Sequence, residues 1–452
     1  MSFFWLLGLV AFMGVALLSL RRGVILYLIS ALIFPSLWIN DTIVLRVELI
    51  YCLWLVFVLF LRKTTLKSNF RWHSILSKYA IFLLIIVLST MFGLVDRATE
   101  SSLSSLVFTF YGVLRPLLVM FVLLNTFFDE KFPFQVLQAL IWLSIPISLL
   151  SIGQSLGLDV AQKITLQGYT STSRTPVFAL LEKIGVIVRS TGVFESPVYN
   201  GVFFVAILTI IGVILASEWI GFKHKWVLYL LFSLSIVAGI TTLSATFILG
   251  TIFALTILLF FFRHRYPKYF LQFTVGVAFI ASIFVVSLSF FTQRDTFKGV
   301  LTYQINRVIS GVFLNTRFDP ETGIFKETYK AIQQRPIFGW GFKKLENVFV
   351  GDLTYMVLLY WGGIVGLGTF LWIIYSILRN AWRNRNQAGL QGTISWIVFL
   401  WTLIFLATSF GSPSFFILRL QEWYWALVGI FLNLCSRTHQ NHAVGNSIRR
   451  VL

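Results

Sequence analysis

The sequence predicts an all-α polytopic membrane protein with about 12–13 transmembrane helices. Of its 452 residues, 58% are hydrophobic and only 12% are charged, whereas roughly a quarter of the residues in a soluble domain are charged. Thirteen apolar segments approach the ~20 residues that an α-helix needs to cross the hydrocarbon core of a bilayer. Two long polar stretches, 157–197 and 293–352, interrupt this pattern.

The thirteen predicted spans lie near 3–20, 23–39, 43–62, 77–95, 108–128, 135–156, 198–216, 225–241, 243–262, 270–291, 353–378, 392–410 and 414–436. Residues 3–20 lack a small-residue cleavage site, so we expect a retained first span rather than a signal peptide. Cys52 and Cys435 both lie inside apolar segments and predict neither a disulfide nor a metal site.

Basic residues predict the orientation of the chain. Nineteen Lys and Arg residues, from Arg21 to Arg450, fall in the short connections and tail of one side, and only Arg97 falls in the short connections of the other. Cytoplasmic loops collect Lys and Arg, so both long insertions are predicted to face outward. The net charge of +19 is explained in this way and does not indicate a nucleic-acid partner. All five histidines fall on the predicted cytoplasmic side, so an external site has no histidine base.

This orientation divides the chain into four predicted parts. Residues 1–292 form a transmembrane bundle with a smaller external insertion at 157–197. A large external loop, 293–352, follows, and residues 353–436 form the C-terminal transmembrane helices. Residues 437–452 are a cytoplasmic tail. External loops of such length are uncommon unless they are functional or disordered, so we expect the selective site there.

Three arginines interrupt predicted spans, and a charge at membrane depth requires a partner or a function. Arg419 has Glu422 at i+3, which is a sufficient structural explanation. For Arg46 the structural alternative is that its long side chain extends to the nearby membrane–water interface. Arg115 has no acidic residue at i±3 or i±4, so a functional role is predicted for it.

The first insertion ends in Arg189-Ser-Thr-Gly-Val-Phe-Glu-Ser-Pro-Val-Tyr-Asn-Gly201. Gly192 and Pro197 mark turns, which would bring Arg189 and Glu195 to the membrane surface. The alternative is that Arg189 only anchors a helix end.

In the second insertion, Asp319-Pro320 predicts the start of a helix over 320–334, with Ile324, Phe325, Tyr329 and Ile332 on its apolar side. Pro336 stops that helix. Gly339-Trp-Gly341 then predicts a turn whose backbone can approach a ligand closely. An amphipathic helix lying on the membrane is the structural alternative. Further on, Gly362 and Gly366 have the spacing that permits tight helix packing.

Guanidinium groups bind phosphate oxygens in bidentate geometry and stay charged at any working pH. No convincing metal pattern accompanies them on the outer side, so we expect neither a metal nor a cofactor. The residues alone therefore predict a carrier or enzyme for a phosphorylated lipid, with Tyr355 among the aromatic residues available to stack on sugar. The arginines predicted to face the outer leaflet or the space above it are Arg46, Arg115, Arg189, Arg307 and Arg317.

Four stretches resemble the O-antigen ligase/polymerase superfamily, the Wzy and WaaL proteins, across roughly residues 70–435. They are Gly153-Gln154, the stretch from Arg189 to Pro197, Asn315-Thr-Arg317 with the stretch from Phe325 to Gly341, and the stretch from Asp352 to Leu367. The resemblance implies a GT-C-like membrane glycosyltransferase with one large periplasmic loop. It also implies the bacterial inner membrane, with the active site facing the periplasm.

Members of this superfamily transfer a glycan from an undecaprenyl-diphosphate donor to an acceptor hydroxyl without metal. The resemblance implies Arg189, Arg317 and Asp352 as catalytic residues. It leaves Arg307, Arg115, Arg46, Glu195, Gly339, Gly341 and Tyr355 as substrate-binding candidates. The chain departs from the family pattern at Ser244-Ala245, where many members have Ser-Arg, and at Asp352, where ligases have histidine. The aspartate resembles O-antigen and exopolysaccharide polymerases more than ligases, so a polymerase is favoured.

The implied partners are the undecaprenyl-diphosphate-linked donor, a glycan or lipid-linked acceptor and the bilayer, with a flippase and a chain-length regulator as protein candidates. Two alternatives stay open. One is a ligase that moves the glycan to lipid A-core. The other is a transporter of an anionic lipid-linked sugar, although the halves of the chain show no internal repeat.

Overall fold

The computed structural model describes residues 2–38, 44–95, 103–129, 131–169, 189–217, 225–265, 275, 323, 325–345, 348, 350 and 353–451. Almost all of this chain is α-helical, which confirms the predicted all-α class. The exception is a pair of two-residue antiparallel strands, Leu37–Trp38 and Val44–Leu45, with Leu37 opposite Leu45.

Fourteen α-helices are described. They are α1 Ser2–Leu18, α2 Leu20–Ile33, α3 Val47–Thr65, α4 Ser74–Val95, α5 Leu103–Asn125, α6 Lys131–Ser155, α7 Asp159–Gly168, α8 Pro197–Ala216, α9 Lys225–Thr241, α10 Ala245–Arg265, α11 Lys326–Gln334, α12 Thr354–Asn384, α13 Leu390–Thr408 and α14 Leu420–Val451.

Within these residues, six helices are long and apolar enough to cross a membrane: α4, α5 from Leu106 onward, α6, α8, α12 and α13. Shorter apolar helices occur at Leu6–Leu18, Lys225–Thr241 and Ala245–Phe260. The chain is therefore a multi-pass membrane protein. A helix occupies each predicted span except 270–291, of which only residue 275 is described.

The centre of the bundle is apolar and rich in aromatic residues. Helix α14 packs along α5, and α8 is surrounded by α9, α10 and α13. Helix α8 is buried along nearly its whole length, in keeping with its uniformly apolar sequence. Trp401 on α13 and Trp423 and Trp425 on α14 are fully buried.

The predicted helix over 320–334 is observed as the shorter α11, Lys326–Gln334. Residues 320–322 and 324 lie outside the described part. The predicted apolar side is partly wrong, because Phe325 and Ile332 are buried but Tyr329 is half exposed. The chain leaves the helix just before Pro336, as a proline that cannot continue it requires.

Helix α12 is broken near its start. Gly363 has φ 61° and ψ −158°, so the helical hydrogen-bond pattern is interrupted there. Gly362 lies against α4 at Ile85 and Ile86, as expected for a glycine that permits close helix packing. Gly363 has a second effect that was not expected, because it interrupts the helix and leaves a gap that residues 336–343 fill.

Candidate functional site

The segment Arg189–Ser196, here the arginine segment, is non-helical and lies among the ends of four helices. Ser196 caps α8 with its hydroxyl, which accepts from the amide of Val198 at 3.3 Å, and Pro197 takes the first helical position. Ser190, Thr191 and Gly192 are buried. Buried backbone amides require hydrogen-bond partners, and neighbouring helices supply them.

Two buried side-chain amides hold the arginine segment. The Gln154 Oε1 near the end of α6 accepts from the backbone amides of Thr191 at 3.1 Å and Gly192 at 2.8 Å. The Asn200 Nδ2 on α8 donates to Ser151 Oγ at 2.9 Å and to the carbonyl of Ser190 at 3.3 Å. The segment is thus fixed from both sides by neutral groups.

Arg189 is held at the connection between α9 and α10. Its Nε donates to the carbonyl of Thr242 at 3.1 Å, and the next amide, that of Ser190, donates to the carbonyl of Thr241 at 3.0 Å. Leu243 in this connection has a positive φ of 47°, an uncommon conformation for a branched side chain. Arg189 itself is half-buried, so its guanidinium lies at a fixed position on the edge of the bundle.

Two buried polar atoms next to this segment have no hydrogen-bond partner among the described residues, Asn200 Oδ1 and Ser244 Oγ. Asn200 and Ser244 are both almost completely buried. Such orphaned groups are uncommon in membrane interiors and need an explanation, because each lacks the compensation that burial of a polar atom requires.

Arg46 and Glu195, predicted as substrate-binding residues, are bound to each other. An Arg46 Nη2 to Glu195 Oε1 ion pair joins the start of α3 to the arginine segment, and Glu48 Oε1 lies 3.9 Å from Arg46 Nη1. The Arg46 side chain is only 7% exposed. Two carboxylates therefore balance the charge of this arginine, and the phosphate-binding role of Arg46 stays a prediction. Its role is to tie the arginine segment to α3.

Arg115 is likewise committed inside the bundle. Its Nη1 lies 3.0 Å from Glu422 Oε1, both side chains are 1% exposed, and Tyr27 donates a hydrogen bond to the other oxygen of Glu422. A buried charge left without a partner is strongly destabilising, so this pair holds α2, α5 and α14 together. The charge of Arg115 is balanced by Glu422, and its phosphate-binding role stays a prediction.

The same pair corrects the explanation of Arg419. Glu422 is bound to Arg115 and not to Arg419, which lies before α14 with a positive φ of 77°. Arg419 Nη1 donates to the carbonyls of Leu32 at 3.2 Å and Phe34 at 2.8 Å, and its Nη2 donates to Ser36 Oγ at 3.0 Å. A cation is stabilising at a helix C-terminus, so Arg419 caps α2.

A second non-helical segment, Pro336–Lys343, here the inserted segment, fills the break in α12. The amides of Trp340 and Gly341 donate to the carbonyls of Tyr360 at 2.7 Å and Trp361 at 3.0 Å. In return, the amides of Ile364 and Val365 donate to the carbonyls of Pro336 at 2.8 Å and Ile337 at 3.2 Å. Every backbone group needs a partner at membrane depth, and the insertion supplies four.

Gly339 and Gly341 have φ of 67° and 66°, which confirms the predicted turn. Their close approach is to helices and not to a ligand. A Cβ on Gly339 would lie 2.5 Å from the carbonyl oxygen of Tyr360, and one on Gly341 would overlap the backbone of Thr90 on α4. Helix backbone occupies the space beside both glycines, and their contact with substrate stays a prediction.

Tyr355, predicted to contact substrate, joins α12 to α13. Its hydroxyl donates to the carbonyl of Leu406 at 2.8 Å, and its ring lies against Phe410 with centroids 4.7 Å apart. Its hydroxyl is therefore used within the bundle.

Both non-helical segments lie at the same end of the bundle. The arginine segment contacts the start of α8 and the α9–α10 connection. Near the start of α10, Gly250 lies against Thr408 at the end of α13, where an added Cβ would be 3.1 Å from the threonine methyl group. The end of α13 in turn holds the start of α12 through Tyr355.

Three predicted site residues, Arg307, Arg317 and Asp352, lie outside the described residues, so their predicted roles stay predictions. Among the residues that the structure describes, no group of three or more His, Cys, Asp or Glu could hold a metal ion.

Comparison with known proteins assigns no family to the chain: no protein-family model matches the sequence, and no curated protein is significantly similar to it.

Sequence reasoning missed Asn200 and the pairing of Arg115 with Glu422. The signal for the pair was present, because Glu48 and Glu422 are acidic residues inside predicted spans and each buried acid requires a cation. The signal for Asn200 was weaker: its polar side chain lies in the first turn of an apolar helix, where a buried amide requires hydrogen-bond partners.

Proposed function

We propose that the chain is an integral-membrane glycosyltransferase that polymerises undecaprenyl-diphosphate-linked oligosaccharide repeat units at the periplasmic face of the bacterial inner membrane, without metal. Arg189 and Arg317 bind the donor diphosphate, and Asp352 accepts the proton of the attacking hydroxyl. Arg307 assists at the diphosphate. Arg46, Arg115, Glu195, Gly339, Gly341 and Tyr355 are left out of the chemistry, because their contacts are made within the bundle.

The way in which Arg189 is held is the observation that carries this proposal. A guanidinium fixed by the carbonyl of Thr242, on a segment anchored by Gln154 and Asn200, is an organised cation at the edge of an apolar bundle. Preorganised charge in a water-poor site stabilises a developing anion without rearrangement. A lipid-linked diphosphate has the matching chemistry, since its prenyl chain lies in the bilayer and its phosphates at the surface.

In the proposed reaction, the acceptor hydroxyl attacks the anomeric carbon of the donor sugar. The new glycosidic bond forms as the bond between that carbon and the diphosphate oxygen breaks. The hydroxyl proton goes to Asp352, and the electron pair leaves on undecaprenyl diphosphate, whose charge the arginines balance. Holding two lipid-tethered reactants in one cleft supplies the remaining rate enhancement through orientation.

The test is transfer by the purified protein in nanodiscs, with an undecaprenyl-diphosphate-linked repeat unit as the only sugar. We expect polymer from the native chain, and almost none from Arg189→Lys, Arg317→Lys or Asp352→Asn. The control is Arg379→Lys at the opposite end of α12, which should transfer normally. Absence of polymer with the native chain, or full transfer by all three variants, would rule out the proposal.

One structural observation favours the transporter as a second candidate. Transporters carry helices broken at the substrate site, and α12 is broken at Gly363. In a transporter, however, the freed backbone groups coordinate the cargo, whereas here the inserted segment binds four of them. The same nanodisc assay separates the two functions, because a transporter forms no glycosidic bond. A ligase would need lipid A-core as acceptor and would make no polymer alone.

A further inference from the structure

A basic cavity lies at the opposite end of the bundle from the arginine segment. It has a volume of about 740 Å³ and is bounded by the start of α2, the end of α3 and the end of α5. Five cations line it, Arg21, Arg22, Arg62, Lys63 and Arg71, and none of the lining residues is acidic. The excess of positive charge predicts this end to be cytoplasmic.

The positive charge of this cavity is only slightly compensated. Arg21 pairs with Asp129 at 3.1 Å, and Arg62 donates to the carbonyl of Leu17 at 2.8 Å. Within the described ranges, the side chains of Arg22 and Arg71 form no ion pair or hydrogen bond. Arg71 and Lys63 lie close enough to repel each other. A set of like charges held around one cavity is relieved by a bound anion.

The rim of the cavity is apolar and exposed. Leu18, Leu66 and Phe127 are 86%, 74% and 80% exposed and line the same cavity as the arginines. Inorganic phosphate has no apolar surface to place against this rim, whereas the acyl chains of a lipid would cover it. Basic sites between membrane helices on the cytoplasmic side bind anionic headgroups.

We propose that this cavity binds the phosphate group of an anionic phospholipid from the cytoplasmic leaflet. The guanidinium groups of Arg22 and Arg71 contact the phosphate oxygens, and the acyl chains lie against Leu18, Leu66 and Phe127. This site is separate from the glycan site at the other end, so neither proposal depends on the other.

The experiment is native mass spectrometry of the delipidated full chain, titrated with phosphatidylglycerol, with phosphatidylcholine, and with inorganic phosphate as competitor. We expect phosphatidylglycerol adducts well above those of phosphatidylcholine, with no displacement by inorganic phosphate. Removing both cations in Arg22→Gln/Arg71→Gln should weaken phosphatidylglycerol binding by about thirtyfold, from roughly 1 kcal/mol per cation.

The matched control is Arg379→Gln/Arg383→Gln, which removes two cations from the same end of the bundle but outside the cavity and should bind as the native chain does. Arg22→Lys/Arg71→Lys keeps the charge and should retain binding. If Arg22→Gln/Arg71→Gln does not fold, the comparison of phosphatidylglycerol with phosphatidylcholine on the native chain still tests whether an anionic headgroup is preferred. Equal binding of phosphatidylcholine, an equal loss in the control, or displacement by inorganic phosphate would overturn the proposal.

Discussion

The arginine segment and the inserted segment lie at the same end of the bundle, and both are non-helical chain packed among helices. Their backbone groups therefore need hydrogen-bond partners, which the two segments find in different ways. The arginine segment is held mainly by side chains, those of Gln154, Asn200 and Arg46, with one backbone hydrogen bond from Ser190 to Thr241. The inserted segment is held by the backbone of α12 itself, through four hydrogen bonds.

This difference separates a functional element from a structural one. The backbone of α12 and α4 lies directly against Gly339 and Gly341 and fills the space beside them. Side-chain anchoring leaves a charged residue, Arg189, half-buried at the edge. We therefore expect changes in the arginine segment to affect transfer and changes in the inserted segment to affect stability.

The largest effect is expected at Arg189. Arg189→Lys keeps the charge but loses the planar fork and its bond to Thr242, so transfer in nanodiscs should fall by about 10²–10³-fold, the effect of removing one preorganised donor. The melting temperature in detergent should change little. A large loss of stability without a specific loss of transfer would mean that Arg189 is structural.

The next effect is expected at Gly341. Gly341→Ala introduces a Cβ against the backbone of Thr90 at a positive φ, and such strain costs of order 1–3 kcal/mol or more. Thermal unfolding in detergent should show a clear loss. Gly368→Ala on α12 is the matched control, because no atom lies within 4 Å of the added methyl group. Equal melting temperatures for the two variants would contradict the packing of the inserted segment.

A change at Gln154 should affect both stability and transfer. Gln154→Leu leaves the amides of Thr191 and Gly192 buried without acceptors, at about 1–3 kcal/mol, and loosens Arg189. We expect a lower melting temperature together with reduced transfer. Gln138→Leu makes the same substitution on the same helix at a position with no hydrogen bond to the arginine segment, and should be close to native in both assays.

The smallest effect is expected at Tyr355. Tyr355→Phe removes one hydrogen bond to Leu406, typically ~0.5–1.5 kcal/mol, and should leave transfer unchanged. A selective loss of transfer with normal stability would instead indicate that the Tyr355 hydroxyl contacts substrate.

The sequence predicted the helices well, because apolar segments bounded by basic residues have few alternatives to spanning helices. It also predicted the end of α11 before Pro336 and the turn at Gly339, because proline and glycine constrain the backbone locally. The sequence did not predict which residues contact each other across the bundle. Nothing local to Arg115 indicates Glu422, which lies on α14, and nothing local to Gly363 indicates that the inserted segment fills its break. Arg46 and Arg115 were assigned from their own helices alone, without the acids Glu195 and Glu422 that face them in the structure.

The most direct measurement compares Arg46→Lys and Arg189→Lys in the same transfer assay, since both arginines lie at one end of the bundle and both were site candidates by sequence. The account predicts near-native transfer for Arg46→Lys, whose charge remains paired with Glu195 and Glu48, and near-complete loss for Arg189→Lys. Loss with Arg46→Lys and retention with Arg189→Lys would contradict it.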